Sequence, residues 1–352
     1  MLGLALTPNN STLLAANTAD GSVALIDPDN PQSAQAIQIL PAYGYAQPSY
    51  LTVTSTGLVF VATENTNTEA GITLQMYQID LATHNVTIST QPNSAMVSSR
   101  DGSVVFAYAG YQEAVWTAAS GTWTIGHGTQ SYFGNVALAG DGNVIAVGSQ
   151  GFGVVSGAVL EFMDSDTNII SRTGLTAYQS SFAGQIAGLR LNDAGSLAYL
   201  PVQFGTSSES ISFTENGIDI FDVEHSELRV RVMLSEQFPN SGIIGMTTDP
   251  SGQNIFLLTT AGLTVVTLDE IPLSIGSITP ALGPAGTTVT IRGSGFSSST
   301  AVAFNGNSAA ATFIDVDTLQ VGLPATLAAG PVSITLTNPD GAYTLDDAFT
   351  VQ

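Results

Sequence analysis

The sequence predicts an all-β protein, with four-stranded meanders repeated over the first three-quarters of its 352 residues and one smaller sandwich after them. Two observations carry this expectation. Short apolar runs alternate from end to end with Gly, Pro, Asn, Asp and Ser turn signals, and one arrangement of turn and strand recurs at a roughly constant spacing. The clearest copy is GMTTDPSGQNIFLLTTAGLTVVTLD at residues 245 to 269: an apolar run, a Pro-Ser-Gly turn, a returning run, a Gly bend and a third run ending on Asp.

Lining up the first turns gives six copies, centred on Asn10, Gly57, Gly102, Gly142, Gly195 and Gly252, at spacings of 47, 45, 40, 53 and 57 residues. Six positions before each centre stands an apolar residue: Leu4, Leu51, Met96, Val136, Leu189 and Met246. Every first strand should therefore point an apolar side chain the same way. Three and four positions after the centres, the second strands read Leu13-Leu14, Phe60-Val61, Val105-Phe106, Ile145-Ala146, Ala198-Tyr199 and Ile255-Phe256. Strands apolar on both faces require cover from both sides. The third strand ends on Asp27, Asp80, Asp164, Asp222 and Asp269, with Ala119 in the remaining copy, and a more variable fourth strand usually follows.

Four strands in roughly 40 to 45 residues is the period of a β-propeller blade. Such a sheet cannot bury both faces alone, so blades cover one another. Six blades are favoured and seven are the alternative. The last copy has only three strands before Ile271, which leaves either an incomplete sixth blade or a segment lost upstream. Segments such as LALTPNNSTLLAANTADGSVALID resemble YVTN-type and related surface-layer propeller repeats over residues 1–271. No Trp-Asp pair closes a copy, so the WD pattern is not followed.

From Pro272 the text changes. Pro280, Gly283, Pro284 and Gly286 force an entry loop, Val289 and Ile291 alternate inward, and Gly293 and Gly295 allow a bulge before Phe296. Asn338-Pro339-Asp340-Gly341 is a hairpin turn. Residues 272–352 closely resemble the immunoglobulin-like IPT/TIG domain, which implies a sandwich of about seven strands.

Composition limits the function classes. Only 10% of residues are charged, with 28 acidic against six basic, all of them Arg, and a formal net charge of -22. Phosphate-backbone binding depends on clustered cations, so nucleic acid is not an expected partner, nor is an anionic membrane surface. The chain has no Cys, which removes disulfides, thiolate metal sites and Cys nucleophiles. No apolar run approaches the ~18 residues of a membrane span, so membrane insertion is not expected. The opening MLGLALTPNN lacks the basic start and apolar core of a signal peptide. With abundant Thr, Ser, Gly, Asn and Ala, the expectation is a secreted or cell-surface bacterial protein whose signal peptide has been removed.

Candidate binding residues follow from strand parity. In a four-stranded meander the connections after the second and fourth strands leave from one end. Here those connections are the long, aromatic ones, carrying Tyr43, Tyr45, Tyr111, His127, Tyr132, Phe133, Tyr178, Phe182 and Phe238. Aromatic faces beside amides and hydroxyls suit a sugar ring or a protein partner, although the same side chains also serve simply to pack between blades. Asp164-Ser-Asp166-Thr-Asn168 has the first alternating ligands of a calcium loop but lacks its Gly and Glu. Asp164 and Asp166 are thus candidate Ca2+ ligands, and capping of their own turn is the competing reading. Otherwise no cofactor is expected.

No catalytic constellation stands out. His84 and His225 fall at the turn end and His127 at the opposite end, with no metal-binding spacing. No GxSxG elbow occurs, and Gly151-Phe-Gly153-Val-Val-Ser156-Gly157 lacks the helix a dinucleotide fingerprint needs. Arg229 and Arg231 alternate on a fourth strand, where charge guards an edge. The expected function is non-catalytic recognition of a glycan or extracellular protein by the loop face, with the sandwich as spacer or second contact. Two alternatives stay open: a surface-layer or fibre subunit that self-associates through the incomplete last blade, and a propeller-type polysaccharide lyase or hydrolase.

Overall fold

Every repeat begins with a turn that demands a left-handed residue at its centre. In the computed structural model, Asn10 has φ 59°, and Gly57, Gly102, Gly142, Gly195 and Gly252 have φ between 68° and 80°. Five centres are Gly, which pays no Cβ penalty there, and the sixth is Asn, which tolerates the region best among the rest. Three residues earlier a short polar side chain closes the turn. Thr7 Oγ1 accepts from Thr12 N–H at 3.0 Å, Thr54 Oγ1 from Leu58 at 3.1 Å, and Ser99 Oγ from Val104 at 3.0 Å. Asn192 and Asp249 act likewise through Oδ1, on Ser196 and Gln253. The fourth copy has Ala139 at this position, and Asp141 Oδ1 accepts from Asn143 N–H instead.

The structure describes residues 3–40, 46–65, 75–89, 91, 95–109, 112–126, 132–150, 158–174, 188–204, 215–234, 243–259 and 262–352. Among them there is no helix. The first sheet runs Leu4–Leu6, Leu13–Asn17, Ser22–Asp27 and Asn30–Gln38, each strand antiparallel to the next. The second runs Ala46–Val53, Leu58–Asn65, Met76–Asp80 and Val86–Ile88, and the third Ala95–Ser98, Val104–Ala109, Gln112–Thr117 and Thr122–Ile125. The fourth (Tyr132–Leu138 to Ile169–Gly174) and fifth (Arg190–Leu191 to Glu227–Leu234) repeat the order, and the sixth stops at three strands with Gly262–Thr267. The fold is all-β, six sheets of propeller-blade type followed by an immunoglobulin-like domain.

Two compact units divide the chain. The first holds residues 1–133 with 140–145 and 163–168, and the second holds 134–139, 146–162 and 169–352. The change of text at Pro272 therefore falls inside the second unit. In the first unit, Leu14, Val23, Val59, Val61 and Ile79 form a core between the first two sheets. Between the second and third, Phe60 meets Trp116 and Trp123 edge-on, at ring-centroid distances of 5.7 and 4.9 Å. In the second unit, Leu197, Tyr199, Ile218, Ile255 and Leu257 join the fifth and sixth sheets.

In the second to fifth copies the second strands match the expectation of cover on both faces, since Phe60, Val61, Val105, Phe106, Ile145, Ala146, Ala198 and Tyr199 are inaccessible, but in the first and sixth Leu13 and Phe256 are only partly buried. One first-strand expectation fails. Leu51, Met96, Val136, Leu189 and Met246 are buried, but Leu4 is 62% exposed. Leu51 and Met96 pack with side chains of the preceding sheet. The sixth third strand also ends at Thr267, two residues short of Asp269.

The C-terminal domain has eight strands where about seven were expected, paired in the order Ser274–Thr279, Thr288–Ser294, Thr318–Gly322, Asn307–Asp315, Ala301–Phe304, Gly330–Asn338, Gly341–Val351, Leu282–Gly283. The additional one is the two-residue Leu282–Gly283, parallel to the last strand. Val289, Ile291, Phe304, Val321, Ile334, Leu336 and Phe349 form the core. Asn338 Oδ1 accepts from the N–H groups of Asp340 and Gly341, closing the expected hairpin.

Candidate functional site

Strand order defines the two ends of each sheet. Each sheet is an antiparallel meander, so the second strand ends and the third begins at one end, where the fourth strand also ends. Tyr132 and Phe133 open the strand Tyr132–Leu138 at this end, and their side chains lie outside the described residues. Tyr43, Tyr45, Tyr111, His127, Tyr178, Phe182 and Phe238 lie outside the described residues altogether.

Asp164 and Asp166 sit at the opposite end, between the third and fourth strands of the fourth sheet. Asp164 Oδ1 accepts from the N–H groups of Asp166 and Asn168 at 2.9 and 2.8 Å, and Asp164 Oδ2 accepts from Asn168 Nδ2 at 2.9 Å. Both carboxylate oxygens thus close their own turn. Asp80 does the same with Ala82 and Thr83, and those backbone donors hold its pKa below the usual value. Among the described residues no group of three or more Asp, Glu or His side chains is placed to hold a metal ion.

A buried carboxylate with partners from two domains was not singled out from the sequence. Asp222 ends the third strand of the fifth sheet and is buried. His225 donates to its Oδ1 from the backbone at 2.8 Å and from Nδ1 at 2.9 Å, since a carboxylate can only accept. The Tyr343 hydroxyl donates to the same oxygen from the C-terminal domain. Arg229 lies 3.8 Å from Asp222 Oδ2 and 5.4 Å from the Tyr343 ring centroid, while His225 meets that ring edge-on. Burial and the neighbouring Asp222 charge push the Tyr343 pKa up.

The domains also meet through backbone. A Cβ on Gly276 would lie 2.2 Å from the Ala194 carbonyl oxygen, so only Gly fits there. Arg229 and Arg231 do lie on the outermost strand of the fifth sheet, and each also faces a buried carboxylate of the third strand. Arg231 Nε and an Nη donate to Asp219 Oδ1 and Oδ2, both at 2.7 Å, and Asp219 is fully buried. The available signal was a pair of alternating Arg on a fourth strand following a third strand that carries two Asp, Asp219 and Asp222.

Eight strands around one buried core, reached through the Pro- and Gly-rich entry loop, agree with a sequence match over residues 273–351. The chain carries a C-terminal IPT/TIG domain. No curated protein matches the sequence. Among solved structures, the chain is similar to the β-propeller domain of Cps50 (Swd1) from Myceliophteria thermophila, at 9% identity and TM-score 0.51, covering 76% of this chain and 82% of that one. It is also similar to a fungal alcohol oxidase of the AA5 family, described in complex with copper, at 13% identity and TM-score 0.50, covering 100% and 85%. At these identities the likeness is one of fold. No helix among the described residues is long and apolar enough to cross a membrane.

Proposed function

We propose that the protein is a non-catalytic recognition module of the cell exterior. The loop end of its blades takes a glycan or an extracellular protein, and the IPT/TIG domain serves as spacer or second contact. The observation that carries this reading is the concentration of aromatic residues in connections that the meander order assigns to one end of the sheets. Loops on a rigid β scaffold are where binding residues collect. A glycan array probed with the whole chain tests it. A hit lost in Tyr45→Ala and Tyr132→Ala supports the reading, while a hit unchanged by either substitution removes the loop end from consideration. Turnover of a polysaccharide, abolished by one carboxylate substitution, would replace it with an enzymatic reading.

One observation favours a structural subunit as the second reading. The sixth sheet has three strands among the described residues, and its outer strand Gly262–Thr267 exposes Leu263 and Val265 by 63% and 52%. An apolar edge of this kind is a template for strand addition. Sedimentation over a wide concentration range checks it, with assembly suppressed by Val265→Lys as the supporting result.

A further inference from the structure

At the turn end of the first two sheets a cleft of about 430 Å³ opens over their shared core. Leu25 and Leu81 supply its apolar lining, and Asp27, Ser33, Gln35 and His84 are among its polar groups. Six of the eight lining residues are polar, so the cleft is a polar surface carrying a two-leucine apolar patch, which suits an amphipathic side chain with an alkyl stem and a charged head. Asp27 supplies the single carboxylate. Its Oδ1 accepts from Asp29 N–H at 2.9 Å, and its Oδ2 has no hydrogen-bond partner among the described residues. The His84 ring is likewise without one, while its backbone is held at φ 58° with its N–H donating to the Asp80 carbonyl. No Arg lines the cleft.

We infer that this cleft receives the lysine side chain of an extended segment from another protein. The ammonium pairs with Asp27 Oδ2, the alkyl stem lies along Leu25 and Leu81, and the imidazole and Gln35 amide accept the remaining ammonium protons. The segment itself runs beside Asn30–Gln38, the outermost strand of the first sheet, which pairs with Ser22–Asp27 alone and is exposed along almost its whole length. Ser33 and Gln35, on one face of that strand, are the groups that line the cleft. Charge complementarity selects the partner, because the chain carries a net charge of -22 and draws in cations. A second copy cannot supply the side chain, since the sequence contains no lysine.

The test titrates the whole chain with the pentapeptide acetyl-Ser-Val-Lys-Val-Ser-amide, its norleucine counterpart and 1,5-diaminopentane, following backbone amide shifts by NMR. The expected result is saturable binding of the lysine peptide, with shifts at Leu25, Ser33 and His84. The norleucine peptide should bind at least threefold more weakly, and Asp27→Asn should weaken the lysine peptide about three- to fivefold, the upper part of the range for a solvent-accessible ion pair. Asn keeps the turn-closing oxygen, so this variant retains the fold. Asp29→Asn, which removes a neighbouring carboxylate outside the lining, should leave binding unchanged. Equal binding of the norleucine peptide, unaltered binding by Asp27→Asn, tighter binding of the diamine than of the peptide, or no saturation by about 1 mM would each overturn the inference. None of these results bears on the loop end.

Discussion

The hydroxyl of Tyr343 donates to Asp222 Oδ1 across 3.4 Å, joining residues 121 positions apart in the chain. The contact ties the IPT/TIG domain to the fifth sheet at a buried carboxylate. Tyr343→Phe removes the donor but keeps the ring under Arg229. A loss of about 1 kcal/mol is expected, the usual net worth of one hydrogen bond, read as a lower denaturant midpoint. An unchanged midpoint would mean that His225 and Arg229 satisfy Asp222 by themselves.

Two glycines separate backbone strain from collision. At Gly57, with φ 80°, a Cβ would meet nothing within 4 Å, so Gly57→Ala should cost about 1 kcal/mol from left-handed strain alone. At Gly252, with φ 75°, a Cβ would lie 2.1 Å from the buried Tyr199 hydroxyl. Gly252→Ala should therefore cost at least twice as much. Thermal melts of the two variants check the ratio, and equal losses would contradict the close packing of Tyr199 beneath the sixth turn.

Arg231 neutralises a fully buried carboxylate through two bonds. Arg231→Met removes the bidentate partner of this buried carboxylate, and the expected loss is about 3 kcal/mol or more. Replacing both residues, as Asp219→Leu with Arg231→Met, should recover most of it. Failure of the double variant to improve on the single one would show that Asp219 has a further role in the sheet.

Glu161 sets a pH dependence of the opposite sign to ordinary acid denaturation. Burial raises its pKa, and Arg172, 3.5 Å away, only partly opposes this. The folded chain therefore binds this proton more tightly than the unfolded chain does. Its contribution to stability is fully present below the ordinary carboxyl value of 4.5 and is lost as pH rises through the higher folded value. Glu161→Gln should gain on the parent between pH 4 and 7. A difference between the two that stays constant with pH in urea titrations would sink this prediction.

The sequence alone determined the repeat, its six turn centres and the change of domain. Each of these is written locally, because a left-handed turn demands Gly or Asn at one position and an alternating strand declares its faces within a few residues. Strand parity gives the expectation that the aromatic connections leave from one end of the sheets. Individual side-chain positions within those connections carry no such periodic signal. Tertiary structure decided the rest. Leu4 matches its five counterparts in sequence but is exposed, because the burial of such a residue depends on packing against another sheet and not on the pattern of its own strand. Asp222 and Asp164 both end third strands; one meets Tyr343 and the other only its own turn, because a partner 121 residues away is set by how the sheets and the sandwich pack together.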